Sequence, residues 1–195
     1  MELIFATNND HKVKEIRAVL PPHFQVRALR EAGINLDIPE PHETLHENAR
    51  EKALTIYKLT GTNCFSEDTG LEVFALHGEP GVKSARYAGE EELFKNNIHK
   101  LLHNLGNETD RRAQFRTVIC LLADGTEHFF EGICRGNIIA EEKGTGGFGY
   151  DPVFIPEGAD KTFAEMSLEE KSRFSHRSKA IGQLVLFLNN SEQKG

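Results

Sequence analysis

Glu67 and Asp68 stand side by side in the run Cys64-Phe65-Ser66-Glu67-Asp68-Thr69-Gly70, and Glu40 is held upstream between Pro39 and Pro41. Carboxylates bind hard divalent cations and accept protons from water. Proline fixes its own φ and restricts the residue before it, so Glu40 lies in a stiff extended segment and loses little entropy on ordering. Mg²⁺ takes one or two protein carboxylates and completes its octahedron with water and phosphate oxygens. Glu40 and Asp68 are therefore candidate Mg²⁺ ligands. Neighbouring strand residues point to opposite faces, so one of Glu67 and Asp68 is expected to face a given site. The competing reading of the pair is a plain solvated turn at a strand end.

Four groups of residues are suited to an anion or a nucleotide. Thr7-Asn8-Asn9-Asp10-His11-Lys12 joins a short apolar run to a helical pattern, and a helix start offers N–H groups and partial positive charge to phosphate oxygens. An ordinary helix cap has the same composition. Lys52 lies on the apolar stripe of a later helix, where it either snorkels to water or meets a phosphate. Gly144-Thr-Gly-Gly-Phe-Gly-Tyr-Asp151-Pro152 carries four glycines in six positions, which lets backbone approach a ligand closely. It lacks the Lys-Ser/Thr of a Walker A loop. Phe148 within it is placed to stack on a base or to tuck into a tight turn. The segment 171–179 adds Lys171, Arg173, Arg177 and Lys179 with His176 and no acid, reading as a solvated helix face or as donors for a base edge.

His42-Glu43-Thr44-Leu45-His46 matches the H-E-x-x-H zinc pattern. Thr44 with Glu47 reads as a capping box, leaving His42 outside the helix and His46 in its first turn. Two zinc ligands on one helical face are not obtained, and no zinc is expected.

The elements that carry these residues follow from periodicity. Leu3 to Ala6 predicts a strand; Val13, Ile16, Val19 and Leu20 predict a helix ended by Pro21-Pro22; Phe24 to Leu29 predicts a second strand. Leu45, Ala49, Ile56 and Leu59 mark one helix face. Cys64 to Ser66 and Leu71 to Phe74 predict two short elements flanking an acidic turn, and 90–105 predicts a helix with Leu93, Ile98, Leu101, Leu102 and Leu105. Ala113 to Ala123 and Thr126 to Ile133 predict a hairpin across Asp124-Gly125. Val153 to Ile155 predicts a strand. Ser167 and Glu170 cap a single C-terminal helix carrying Phe174, Ile181, Val185 and Leu188. Strands and helices mix without strict alternation, which predicts an α/β domain around a mixed sheet.

Composition bounds the rest. The 195 residues carry 30 acidic and 23 basic side chains, a formal net charge of −7, which argues against a partner that is a nucleic acid polymer or an anionic membrane. The length suits one domain over 1–195. No run approaches the ~18 apolar residues of a membrane span, and no signal peptide is read at the N-terminus. Three cysteines without metal-ligand spacing predict a reduced, cytoplasmic setting.

Taken in order, the motifs form a series. Ala6-Thr7-Asn8-Asn9 with Lys12 is followed by Glu47-Asn48-Ala49 with Lys52, then by Glu67-Asp68-Thr69-Gly70-Leu71-Glu72-Val73. Pro80-Gly81, Ser84-Ala85-Arg86-Tyr87-Ala88-Gly89, Gly144 to Pro152, and Lys171 with Ser175-His176-Arg177 complete it. The series closely resembles the Ham1/RdgB-like family of inosine triphosphate pyrophosphatases over residues 3–188. The resemblance implies an Mg²⁺-dependent nucleoside-triphosphate pyrophosphatase acting on non-canonical purine nucleotides (ITP, dITP, XTP). It implies a long central mixed sheet with two α/β lobes, an active-site cleft between them, and a homodimer. By position it implies that Thr7, Asn8, Asn9, Asp10, His11 and Lys12 hold the triphosphate with Lys52 and Lys171. Asp68 would be catalytic and a metal ligand, Glu40 the second ligand, and Thr69 a substrate contact. Phe148, Gly149, Tyr150, Asp151, His176 and Arg177 would form the base pocket. Glu67 stands where many bacterial members carry Asp. The alternatives are a broader (d)NTP pyrophosphatase and a nucleotide-binding module without turnover; the retained Glu40 and Asp68 speak against the latter.

Overall fold

The opening apolar run forms β1 (Glu2–Phe5) in the computed structural model, which describes residues 2–89 and 94–192. Asn9 caps α1 (Asp10–Val19), its side chain accepting from the Lys12 N–H, and the helix stops at Leu20 before Pro21-Pro22. β2 (Gln25–Ala28) pairs parallel with β1, and β1 pairs parallel with β3 (Cys64–Val73). Between them Thr44 caps α2 (Leu45–Thr60) through the Glu47 N–H. The Glu47 carboxylate accepts from the Thr44 hydroxyl. Leu45, Ala49 and Ile56 are buried as expected; Leu59, assigned to the same stripe, is instead 61% exposed in the helix's last turn.

The acidic pair does not sit in a turn. β3 runs unbroken for ten residues through Glu67-Asp68, and eight of these are buried. Periodicity suggests a break because four polar or small residues interrupt an apolar run, but in the structure the carboxylates are buried and paired, which removes the cost of taking them from water. The two-residue β4 (Pro80–Gly81) pairs antiparallel with β3.

α3 (Phe94–Leu105) buries Ile98, Leu101 and Leu105; the predicted start at 90 and Leu93 lie outside the described residues. β5 (Arg112–Ala123) and β6 (Thr126–Ile138) are joined by Asp124 and Gly125, with φ of 49° and 79°. Positive φ at both positions is the type I′ signature, which matches strand twist and requires residues such as Asp-Gly. β6 runs five residues beyond the predicted Ile133 and pairs antiparallel with β7 (Phe154–Pro156). The sheet is mixed, with order β2-β1-β3-β5-β6-β7 and β4 on β3.

The predicted C-terminal helix is two helices. α4 (Leu168–Phe174) opens on a capping box in which Ser167 and Glu170 satisfy each other's N–H groups. Ser175 then takes an extended ψ of 134°, ending α4 and standing directly before α5 (His176–Glu192). Serine is favoured where a helix begins, so the break follows local chemistry that hydrophobic spacing alone does not register.

The chain divides into two compact units: residues 1–68, 117–132 and 177–195 form one, and 69–116 with 133–176 form the other. In the first, Leu3, Phe5, Ile16, Phe65, Ile119, Leu121, Ile181 and Leu184 pack together, with the Phe5 and Phe65 rings stacked at 4.6 Å. In the second, Leu71, Leu101, Leu105, Phe115, Phe154 and Phe163 form the core. No helix among the described residues is long and apolar enough to cross a membrane.

Candidate active site

In the first unit α2 turns Asn48, Ala49, Lys52, Ala53 and Ile56 inward. Lys52 is 6% exposed, so the snorkelling alternative does not hold. Its ammonium donates to Glu40 Oε1 at 2.5 Å and to Asp68 Oδ1 at 3.3 Å. Burial works against the charged form of Lys52, but Asp68 and Glu40 outweigh it and raise the pKa. Asp68 is also raised: burial is the main cause, opposed by Lys52 and reinforced by Glu40. Asn48 donates from Nδ2 to Asp68 Oδ2 at 3.3 Å.

Glu67 belongs to a different group. Its buried carboxylate accepts two parallel bonds from Arg177, Nε at 2.7 Å and Nη2 at 2.9 Å, and pairs with Lys12 Nζ at 3.0 Å. Arg177 Nη1 also donates to Glu15. Burial alone would raise the Glu67 pKa, yet Arg177 and Lys12 hold it far below the usual carboxylate range. Against desolvation, Glu67 and Glu15 hold the fully buried Arg177 firmly protonated. The strand's alternation thus separates the acidic pair: Asp68 meets Lys52, and Glu67 meets Arg177 and Lys12.

Glu40 and Asp68 offer hard oxygen donors to one cation, and with Lys52 they carry one negative charge in excess. That set fits Mg²⁺, which takes few protein carboxylates. Among the described residues no group of three His, Cys, Asp or Glu gathers as a metal cage, so water and substrate oxygens would have to fill the remaining positions. In the zinc-like motif, His42 precedes the Thr44 cap and His46 lies in the first turn, its ring 4.7 Å from that of Phe129.

The loop before α1 is tied by its own side chains. Thr7 Oγ1 accepts from the Asn9 N–H at 3.1 Å, and Asn9 Oδ1 from the Lys12 N–H at 3.2 Å. Asn8 Nδ2 donates to the Leu36 carbonyl at 3.0 Å, while its buried Oδ1 has no partner. That oxygen can be satisfied by a hydroxyl or water hydrogen and not by a phosphate oxygen. Asp10 and His11 are exposed. A cleft of about 380 Å³ is lined by Thr7, Asn8, Asp10 and Lys14 together with Arg17 and Arg30.

The second unit holds the glycine-rich segment. Asp151, 2% exposed, accepts from the Phe148 N–H at 2.9 Å and from Lys171 Nζ at 2.5 Å through the same oxygen. The ammonium lies 5.2 Å from the Phe148 ring centre and 5.1 Å from that of Phe163. Gly147 has φ +69°, and a Cβ there would stand 2.1 Å from the Asp151 carboxylate, so the loop can wrap this group only with glycine. Phe148 and Gly149 are half-buried; Tyr150 is buried, and its hydroxyl donates to the Ser84 carbonyl at 2.9 Å. His176 stacks on Phe115 at 4.7 Å and 16°. Thr69 is half-buried on β3 directly after Asp68.

The basic segment 171–179 is therefore no solvated face: Lys171, Ser175, His176 and Arg177 are buried, and Arg173 and Lys179 are exposed. The structure brings Glu40, Lys52 and Asp68 together, and separately Lys12 with Arg177; in the second unit it joins Phe148, Asp151 and Lys171. Two participants, Glu15 and Asn48, are given no role by sequence reasoning. Glu15 carries no signal beyond its place one helical turn after Lys12. Asn48 does carry one, as an amide beside the apolar stripe of α2.

The Ham1 family model matches residues 3–187. A dITP/XTP pyrophosphatase of Porphyromonas gingivalis is 52% identical over 188 residues, 96% of this chain and 97% of that protein. A dITP/XTP pyrophosphatase of Flavobacterium psychrophilum is 48% identical, covering 97% of this chain and all of its own. Among solved structures, the Ham1 protein of Staphylococcus aureus superposes with a TM-score of 0.88 at 42% identity, covering 98% of this chain and 100% of that one.

Proposed function

The chain belongs to the Ham1 family, and from that premise we propose that it hydrolyses non-canonical purine nucleoside triphosphates (ITP, dITP, XTP) to the monophosphate and pyrophosphate with Mg²⁺. The observation that carries this reading is the group of half-buried Glu40 with buried Asp68 and Lys52, in which two carboxylates share one ammonium and retain excess negative charge. A binding module has no need of a carboxylate held above its ordinary pKa by burial.

The proposed roles follow from charge. Glu40 and Asp68 would hold Mg²⁺, which when bound neutralises the phosphate oxygens and so eases departure of pyrophosphate. Asp68 accepts a proton from, or orients, the water that attacks the α-phosphorus. Lys52 and Lys12 offer ammonium groups to the triphosphate, and Thr7, Asn8, Asn9, Asp10 and His11 shape the loop that receives it, with Asn8 Oδ1 suited to a hydroxyl or water. In the second unit Lys171 and Asp151 hold Phe148 in place by their contacts with its N–H and ring. Phe148 and Gly149, with Thr69, Tyr150 and His176, would supply the base-binding surface. Arg177, expected to read the base, has its guanidinium engaged by Glu67 and Glu15; its proposed contribution is to fix the start of α5, and with it His176. A 6-carbonyl accepts a hydrogen bond where the adenine amino group donates one, and such mismatches leave buried groups unpaired.

The proposal extends to a cytoplasmic homodimer, tested by sedimentation and fractionation. The central experiment measures pyrophosphate release from ITP, dITP, XTP, GTP, ATP and dTTP with and without EDTA. Release from the first three, abolished by EDTA and restored by Mg²⁺, is expected. Equal rates with ATP indicate the broader pyrophosphatase, and no release from any indicates a binding module.

A further inference from the structure

We infer that Asn48 is a positioning residue that clamps the Glu40 segment against Asp68 and so sets how tightly the two carboxylates hold a divalent cation. The inference rests on the reading of Glu40 and Asp68 as cation ligands. Asn48 is completely buried in the first turns of α2. Asparagine is a poor helix former there, and a buried amide is costly unless its groups are bonded.

All its polar atoms have partners. Oδ1 accepts from the His42 N–H at 2.9 Å, Nδ2 donates to the His42 carbonyl at 3.1 Å, and Nδ2 also donates to Asp68 Oδ2 at 3.3 Å. The side chain thus pairs with both backbone groups of His42 as another peptide unit would. His42 follows Pro41, whose φ is fixed by its ring, and Pro41 in turn confines Glu40, the residue before it. Holding His42 at two points therefore holds the Glu40 backbone through one stiff residue. The remaining N–H of the same amide reaches Asp68. One rigid group thus ties His42, two residues after Glu40, to Asp68, while Lys52 meets both carboxylates from the same helix, one turn later. Glu40 is the carboxylate that needs such help, since it stands on an irregular segment, whereas Asp68 is fixed by β3.

Groups that orient ligands from behind change metal affinity by about 10–100-fold when removed. The test titrates Mn²⁺ into the full chain, with free ion read by electron paramagnetic resonance. Asn48→Leu, of similar volume, and Asn48→Ala are expected to bind Mn²⁺ about 10–100-fold more weakly while still folded by thermal melting. Arg50→Gln on the exposed face of the same helix, which breaks the Arg50–Glu127 pair, is expected to leave Mn²⁺ affinity unchanged. Folded Asn48 variants that bind Mn²⁺ within twofold of the unmutated chain overturn the inference. A second measurement needs no variant: the Asn48 side-chain amide protons, resolved by NMR, are expected to exchange slowly and to shift on addition of Mg²⁺, and unshifted resonances overturn it. If the unmutated chain binds no Mn²⁺ even with pyrophosphate present, the reading of Glu40 and Asp68 as ligands fails, and the inference falls with it.

Discussion

The two units hold buried charge in different ways. In the first, Lys52 faces both Glu40 and Asp68, leaving one negative charge in excess, while Glu67 and Glu15 balance Arg177 and Lys12. In the second, Lys171 and Asp151 balance each other, with Phe148 and Phe163 beside the ammonium. An unbalanced pair of carboxylates attracts a cation and the phosphates that share it. A balanced pair beneath aromatic rings suits an uncharged planar ring, which stacks without bringing charge. The difference teaches that buried ionic groups of similar composition differ in what each can attract according to the charge left over.

The largest effect expected concerns the unbalanced group. Asp68→Asn should reduce pyrophosphate release from ITP by about a thousandfold or more, within the range for loss of a general base. Its thermal midpoint should stay level or rise, because the change removes a carboxylate whose ionisation burial disfavours. Near-normal turnover would break the comparison at its centre. Next comes the balanced group of the first unit. Arg177→Ala leaves the buried Glu67 with Lys12 as its remaining cationic partner and should destabilise the fold by about 3–5 kcal/mol, measured by urea denaturation. A loss below about 1 kcal/mol would mean that this network is not the structural device described.

A smaller effect is expected in the second unit. Phe148→Ala should weaken ITP binding by about 1–3 kcal/mol, the range for base stacking, raising KM while kcat falls little. If kcat falls instead and KM holds, Phe148 acts on the chemistry and the division between the units is wrong. The least change is a pH dependence. The Glu67 pKa in the fold lies below its ordinary 4.5, so the stability gained is present in full above that value. As pH falls below 4.5 towards the depressed folded pKa, the unfolded state binds the proton first and that stability is lost. The stability gap between the unmutated chain and Glu67→Gln should therefore be flat near neutrality and narrow below that point. A gap that stays constant into acid would show that Glu67 is not held in its charged form.

Much of the fold is legible because its signals are local. The Asn9 and Thr44 caps, the Pro21-Pro22 stop and the Asp124-Gly125 hairpin each depend on contacts within a few residues, and each lies where the sequence predicts. The errors arise where a distant partner decides. β3 continues through Glu67-Asp68 because Arg177 and Lys52 satisfy those carboxylates. In the candidate site, Lys52 is ambiguous in sequence, since one spacing serves either a surface stem or a buried ammonium. Asn48 stands out in sequence as an amide beside an apolar stripe, but its role shows only when His42 and Asp68 are seen around it.

The sequence by itself determined the family, the order of the elements and the residue types that the chemistry requires, because motif order and short-range backbone preferences are written along the chain. The division of labour between Glu67 and Asp68 belongs to the tertiary structure alone. Strand alternation says that they part but not towards what; Arg177 lies 110 positions from Glu67, and Lys52 sixteen from Asp68. Electrostatic pairing acts through space, so only the folded chain decides which carboxylate meets Arg177 and Lys12 and which meets Lys52.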